Sequence, residues 1–283
     1  MLRNFTGVFT TLSANAVKGV LAIVLAVALT ACLDEPEDPD EKAYRRLEKA
    51  LAALERPLRA DVTVDVFVRG MSIPPIRMNA EMRGTQRTSP AQKATDLDLR
   101  SVTTTIERQY GEDIVRNSSV RVIVLGDRTY IRNTLESDEW RSSDVTASLV
   151  KGRGLDPSGT GTMLNTTMVV AMYRSKGRLA VFDPSPTPTA GMRANLYNIT
   201  CNLYECLKEA PDIYEIARKV HPVDQPIQLS LAVDEHDLPR ILEVKSEFPV
   251  SDKDNTQGVL VTFRAKLTLH DHGKPQQITA PVN

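Results

Sequence analysis

The stretch that decides the fold is Val62-Thr63-Val64-Asp65-Val66-Phe67-Val68-Arg69. Valine takes every even position, and every odd position except Phe67 is polar or charged. Successive side chains of an extended chain point to opposite faces. A period of two therefore marks a β-strand with one buried and one wet face. A helix would scatter those valines around its circumference instead of gathering them on one side.

The same period recurs on both sides of this stretch. Ile76, Met78, Ala80 and Met82 alternate with Arg77, Asn79, Glu81 and Arg83, and Leu97 and Leu99 alternate with Asp96, Asp98 and Arg100. Val120, Val122 and Val124 run into a Gly126-Asp127 turn, then Thr129-Tyr130-Ile131 and a hairpin ending at Trp140. Near the C-terminus the phases are Ile227, Leu229, Leu231, Val233; then Leu242, Val244, Ser246, Phe248; then Val259, Val261, Phe263, Ala265, Leu267, Leu269. Long strands adjacent in sequence predict an antiparallel meander with few crossovers.

Other segments read differently. Ala43, Leu47, Ala50, Leu51 and Leu54 recur at helical spacing over 41–55, ending before Pro57. Residues 162–173 predict a helix with Met163, Met168 and Met172 on its apolar side, and 205–220 a helix that Pro211 kinks or restarts. Leu179–Phe182 reads as a short strand, the Pro/Thr-rich residues 183–189 as a loop, and 193–203 as a strand. The expected fold class is α+β: a single highly curved antiparallel sheet, a half-barrel, with helices packed on the concave face. A two-sheet sandwich tolerates the same alternation but leaves the helices without an obvious site.

Upstream, an apolar run from Gly19 to Leu29 follows Arg3 and Lys18 and ends in Leu29-Thr30-Ala31-Cys32. A charged start, a short apolar run and small residues read as a secretory signal. The run is too short to span a bilayer, which takes roughly 20 apolar residues. A cysteine directly after Leu-x-small resembles the bacterial lipobox, which implies cleavage before Cys32 and a lipid anchor on its sulfur. The expected organisation is a signal peptide over 1–31, an acidic tether over 32–41 and one domain over 42–283. The stretch Asp34–Glu41 holds six acids, no base, and both Pro36 and Pro39, so a solvated spacer is expected. The formal net charge is −1, and no clustered basic stripe accompanies it, which argues against a nucleic-acid partner.

Besides Cys32 the chain has Cys201 and Cys206. An even pair in an exported domain favours a disulfide over two free thiols, and a metal would need further ligands that the neighbourhood lacks. Gly152/Gly154 and Gly159/Gly161 lack the flanking strand and lysine of a phosphate loop. His270 and His272 flank Asp271; on a strand they would share a face and reach a metal, whereas a turn leaves them solvated. With no nucleophile elbow and no singled-out carboxylate pair, neither an enzyme nor a cofactor is expected.

The segment Val122-Ile123-Val124-Leu125-Gly126-Asp127-Arg128-Thr129-Tyr130-Ile131-Arg132 with Trp140 resembles the central hairpin of LolA-like lipoproteins, especially the mycobacterial LppX/LprG type. Leu231-Ala232-Val233-Asp234 with Leu238-Pro239-Arg240, and the ending Ile278-Thr279-Ala280-Pro281, are similar to that family as well. The cysteine pair and the 183–189 stretch depart from its pattern. The resemblance implies a half-barrel whose concave face holds the acyl chains of a lipid or glycolipid. The candidate cavity residues are then Val62, Val64, Val66, Met78, Met82, Leu97, Leu99, Val122, Met168, Met172, Leu229, Leu231, Val244, Val261 and Phe263. Flexible methionines suit a variable apolar ligand, and equally suit filling a core. The expected location is the extracytoplasmic face of a membrane, held by the acylated cysteine. The alternative is an anchored interaction or sensor module with a solid core.

Overall fold

A computed structural model describes residues 39–70, 77–107, 112–134, 137–144, 166–176, 181–189, 192–220, 224–252 and 255–282. The signal segment, Cys32, most of the acidic tether, the two glycine pairs and Met163 lie outside the described residues. Residues 44–283 form one compact unit; of the preceding unit, 1–43, only the start of a helix is described.

The first helix, α1, spans Pro39–Leu54. It begins inside the stretch expected to be a spacer. Proline suits the first helical position, where its missing N–H costs nothing, and Asp40 and Glu41 in the first turn complement the helix dipole. Leu47, Ala50, Leu51 and Leu54 form its buried stripe.

The strands are β1 (Leu58–Gly70), β2 (Arg77–Ser89), β3 (Ala94–Glu107), β4 (Ile114–Leu125), β5 (Arg128–Asn133), β6 (Ser137–Asp144), β7 (Val181–Thr189), β8 (Met192–Asn202), β9 (Pro226–Asp234), β10 (Pro239–Asp252) and β11 (Asn255–His270). Three further helices interrupt them: α2 (Thr166–Lys176), α3 (Leu203–Leu207) and α4 (Pro211–Val220). Pro211 thus starts a second helix rather than kinking one. The fold is α+β: one eleven-stranded, open, curved antiparallel sheet in the order β6-β5-β4-β3-β2-β1-β11-β10-β9-β8-β7 with helices on its concave face. The first and last strands meet in the middle, from Arg59 opposite His270 to Gly70 opposite Val259.

Curvature has a local source in β3. Arg83 pairs with Ser101 while Gly84 pairs with Leu99, so Arg100 is an extra residue. A bulge of this kind bends and twists a strand. A Cβ on Gly84 would stand 2.0 Å from the carbonyl oxygen of Asp98, so only glycine fits opposite the bulge.

Two expectations need correcting. Residues 183–189 are not a loop but most of β7, the edge strand. Pro184, Pro186 and Pro188 lack N–H donors, and an edge strand is where a sheet tolerates them. Nor is the outer face of the sheet uniformly wet. Ala94, Ile123 and Ile278 are buried together there, with Leu125, Tyr130 and Trp140 packed against them. The near-continuous apolar run through Val122-Ile123-Val124-Leu125 is what a strand covered on both faces looks like, and the returning chain end supplies the cover.

Candidate functional site

Strand register brings the predicted apolar positions onto one face. Val62 lies opposite Gly84 and Leu267, Val64 opposite Met82 and Ala265, Val66 opposite Ala80 and Phe263, and Val68 opposite Met78 and Val261. To one side follow Leu242 and Val244, then Leu231 and Leu229, then Tyr197 and Ile199. To the other side follow Leu97 and Leu99, then Val122 and Val120. Every candidate on a strand is therefore on this concave face. Met168 and Met172 are buried on α2.

This face changes along the strands. At the end where β1 starts and β11 finishes, Leu58, Leu99, Leu231, Leu242 and Leu267 are fully buried, each at 0 % exposure. Toward the opposite end Val66 and Val68 rise to 6 % and 7 %, and Met78 and Phe248 are only half-buried. Met78, a candidate cavity residue like Met82, stands where the face begins to open.

Helices and turns close the buried end. Arg46 donates from Nε to Asp237 Oδ1 at 2.6 Å and from Nη2 to the Asp234 carbonyl at 2.6 Å, and Lys49 donates to Asp237 Oδ2 at 3.0 Å. These bonds latch α1 to the β9–β10 turn. Asp234 organises that turn, accepting N–H bonds from His236 and Leu238 and a bond from Arg240 Nε. Burial pushes the Asp234 carboxyl up, but those donors outweigh it and hold it below the usual carboxylate range. Arg174 on α2 forms a two-pronged ion pair with Glu55 at 2.6 and 2.9 Å. Tyr173 donates its hydroxyl to the Tyr197 carbonyl at 2.7 Å. Burial raises both tyrosines, Tyr173 well above its ordinary value and Tyr197 to about 12. Cys201 and Cys206 are disulfide-bonded, joining the end of β8 to α3.

The outer face differs in chemistry. Asp96 is buried between Arg87 and Arg121, which accounts for an acid at 3 % exposure. Trp140 packs beside Arg121 and Arg132, whose guanidinium carbons lie 5.9 and 5.2 Å from its ring centre. A polar depression of about 470 Å³ lies on this side, lined by Asp65, Phe67, Glu81, Glu247, Thr262 and Arg264. His270 closes β11 and His272 lies beyond it, so they do not share a strand face. Among the described residues no group of His, Cys, Asp and Glu could hold a metal ion, and no helix is long and apolar enough to cross a membrane.

Polar residues in the concave phase escape the apolar pattern: Gln86, Thr88, Thr104, Ser118 and Arg116. Arg116 is in phase with Ser118, Val120 and Val122, so extending the valine pattern backward would have placed it there.

The class this geometry defines is a single-sheet α+β protein with an aliphatic concave face closed at one end by helices. No family model and no curated protein matches the chain. In fold it resembles the crystal structure of LprF from Mycobacterium bovis, at 13 % identity and a TM-score of 0.38, over 86 % of this chain and 98 % of that one. At that score and identity the likeness says nothing of ligand or activity.

Proposed function

We propose that the chain is a lipoprotein, anchored through Cys32 at the extracytoplasmic face of a membrane, that carries a lipid, glycolipid or other apolar molecule on its concave face. The observation that supports this is the graded aliphatic face, fully buried at one end and half-exposed around Met78 and Phe248 at the other. Such a face is costly to leave in water, at about 25 cal/mol per Å². Acyl chains could cover it at the half-exposed end without repacking the buried one. The fully buried end favours a second reading, an anchored interaction or sensor module with a solid core.

Native mass spectrometry separates the two. A secreted form beginning at Leu33, produced in a lipid-rich host, is expected to carry co-purifying lipid and to bind a fluorescent acyl probe. Met78→Trp, which fills the half-buried end, should lower both. A ligand-free protein that ignores the probe would sink the carrier reading and leave the solid-core module. Separately, Cys32→Ala in the full chain should abolish the lipid-modified, processed form; unchanged processing would refute the anchor.

A further inference from the structure

We infer that Arg116 makes the concave site selective for amphiphiles carrying a phosphate-bearing, anionic headgroup. The inference rests on the carrier reading and adds the ligand's chemical class.

Register assigns every concave position of β1–β5 and β9–β11. On β1 these are valines, Leu58, Ala60 and Gly70; on β2, Met78, Ala80, Met82, Gly84, Gln86 and Thr88. The concave positions of β9, β10 and β11 carry no charge either, from Ile227 to Val233, from Leu242 to Phe248, and from Val259 to Leu269. Arg116 is the charge this phase carries on β4, and on β6 the exposed Arg141 lies opposite Ile131 in the same phase. Thr104 lies directly opposite Arg116, with Ala80 and then Val66 beyond. Arg116 is exposed, and no acid among the described residues forms an ion pair with it. Ser118 follows it in phase, and its hydroxyl oxygen is enclosed without a hydrogen-bond partner.

Chemistry then narrows the ligand. Arginine presents a planar fork that binds phosphate through two parallel hydrogen bonds. Three strand spacings, about 15 Å, separate β4 from β1. A headgroup at Arg116 therefore leaves its acyl chains beside Ile106 and Met78, the half-buried part of the face. The charge stands beside that part and not beside the buried end.

The test is lipid extraction from vesicles by the secreted form beginning at Leu33, comparing phosphatidylglycerol with diacylglycerol of the same acyl chains. Phosphatidylglycerol should be extracted preferentially. Arg116→Gln should lower its extraction about tenfold and leave diacylglycerol unchanged; Arg116→Lys should keep part of the preference. Unchanged diacylglycerol extraction also reports that each variant is folded. Equal extraction of both lipids by the unaltered protein, or an equal drop for both in Arg116→Gln, would overturn the inference and leave the carrier reading standing. Extraction of neither would remove both. Inorganic phosphate, added alone and binding with the same dependence on Arg116, would mark a free-anion site and overturn the amphiphile assignment.

Discussion

Leu99 and Val68 lie on the same face of the same sheet, yet one is at 0 % exposure and the other at 7 %, and their neighbours diverge further. The residue types and the pleat are alike at the two ends. The difference lies in what closes each end. At the buried end α1 is latched to the β9–β10 turn by Arg46 and Lys49, and its leucine stripe is itself fully buried. At the other end Met78 and Phe248 keep part of their surface. A sheet face is thus made solid or accessible by the elements in front of it, not by its own alternation.

The largest way to break the comparison is to remove the bend that both ends share. Gly84→Val puts a side chain where the Asp98 carbonyl already stands, so the β2–β3 ladder must separate. A loss of about 4 kcal/mol or more is expected, read as a collapsed denaturant midpoint. A near-normal midpoint would show that the bulge can move. Next in size is Leu99→Ala, which opens a void in the buried end and should cost about 3 kcal/mol. Val68→Ala, on the same face near the other end, should cost about 1 kcal/mol. Equal losses would erase the distinction between the ends.

A third prediction uses the outer face as a control. Asp96→Asn leaves Arg87 and Arg121 facing an amide, and a loss of about 2 kcal/mol is expected from weakened charge-assisted bonds. Burial pushes the Asp96 carboxyl up, but the bonds from Arg121 and Arg87 prevail and hold it below the usual range. A carboxyl lowered in the folded state contributes stability above its unfolded value and loses it as pH falls through the folded one. Stability of the unaltered protein should therefore fall on acidification below the ordinary carboxylate range, more steeply than in Asp96→Asn. Parallel pH curves for the two would contradict the ion-pair account.

Strands were legible because an exposed face and a buried face leave a period of two. Even the bulge left a mark, since the apolar phase slips from Leu97 and Leu99 to Val102. Residues 183–189 misled because proline is read as a loop former. Only strand order reveals that β7 is an edge, where a missing donor does no harm. The cover over Ile123 was illegible for a different reason. Ile278 is far away in sequence, and its pairing with β4 is a tertiary fact with no local period. Arg116 was hidden by polarity, since a charged residue in valine phase resembles a strand end. The gradient along the concave face depends on α1 and the turns in front of it, which alternation does not encode.

The smallest expected effect isolates the comparison best, because it uses one residue type on one strand. Met78 and Met82 share the concave face of β2, and only their distance from the buried end differs. Met82 is at 2 % exposure, so Met82→Ala should cost about 3 kcal/mol, within the range for a buried methionine. Met78 is half-buried, so Met78→Ala removes fewer contacts and should cost about 0.5 kcal/mol. Acyl-probe binding should respond in the opposite order. Met78→Ala should weaken it severalfold, because a flexible side chain at the accessible end is lost from the ligand's surface. In buffer where Met82→Ala remains folded, that variant should bind nearly as the unaltered protein does, since its side chain faces packed neighbours. If Met82→Ala weakens the probe and Met78→Ala does not, the ligand lies at the buried end, and the two ends have exchanged roles.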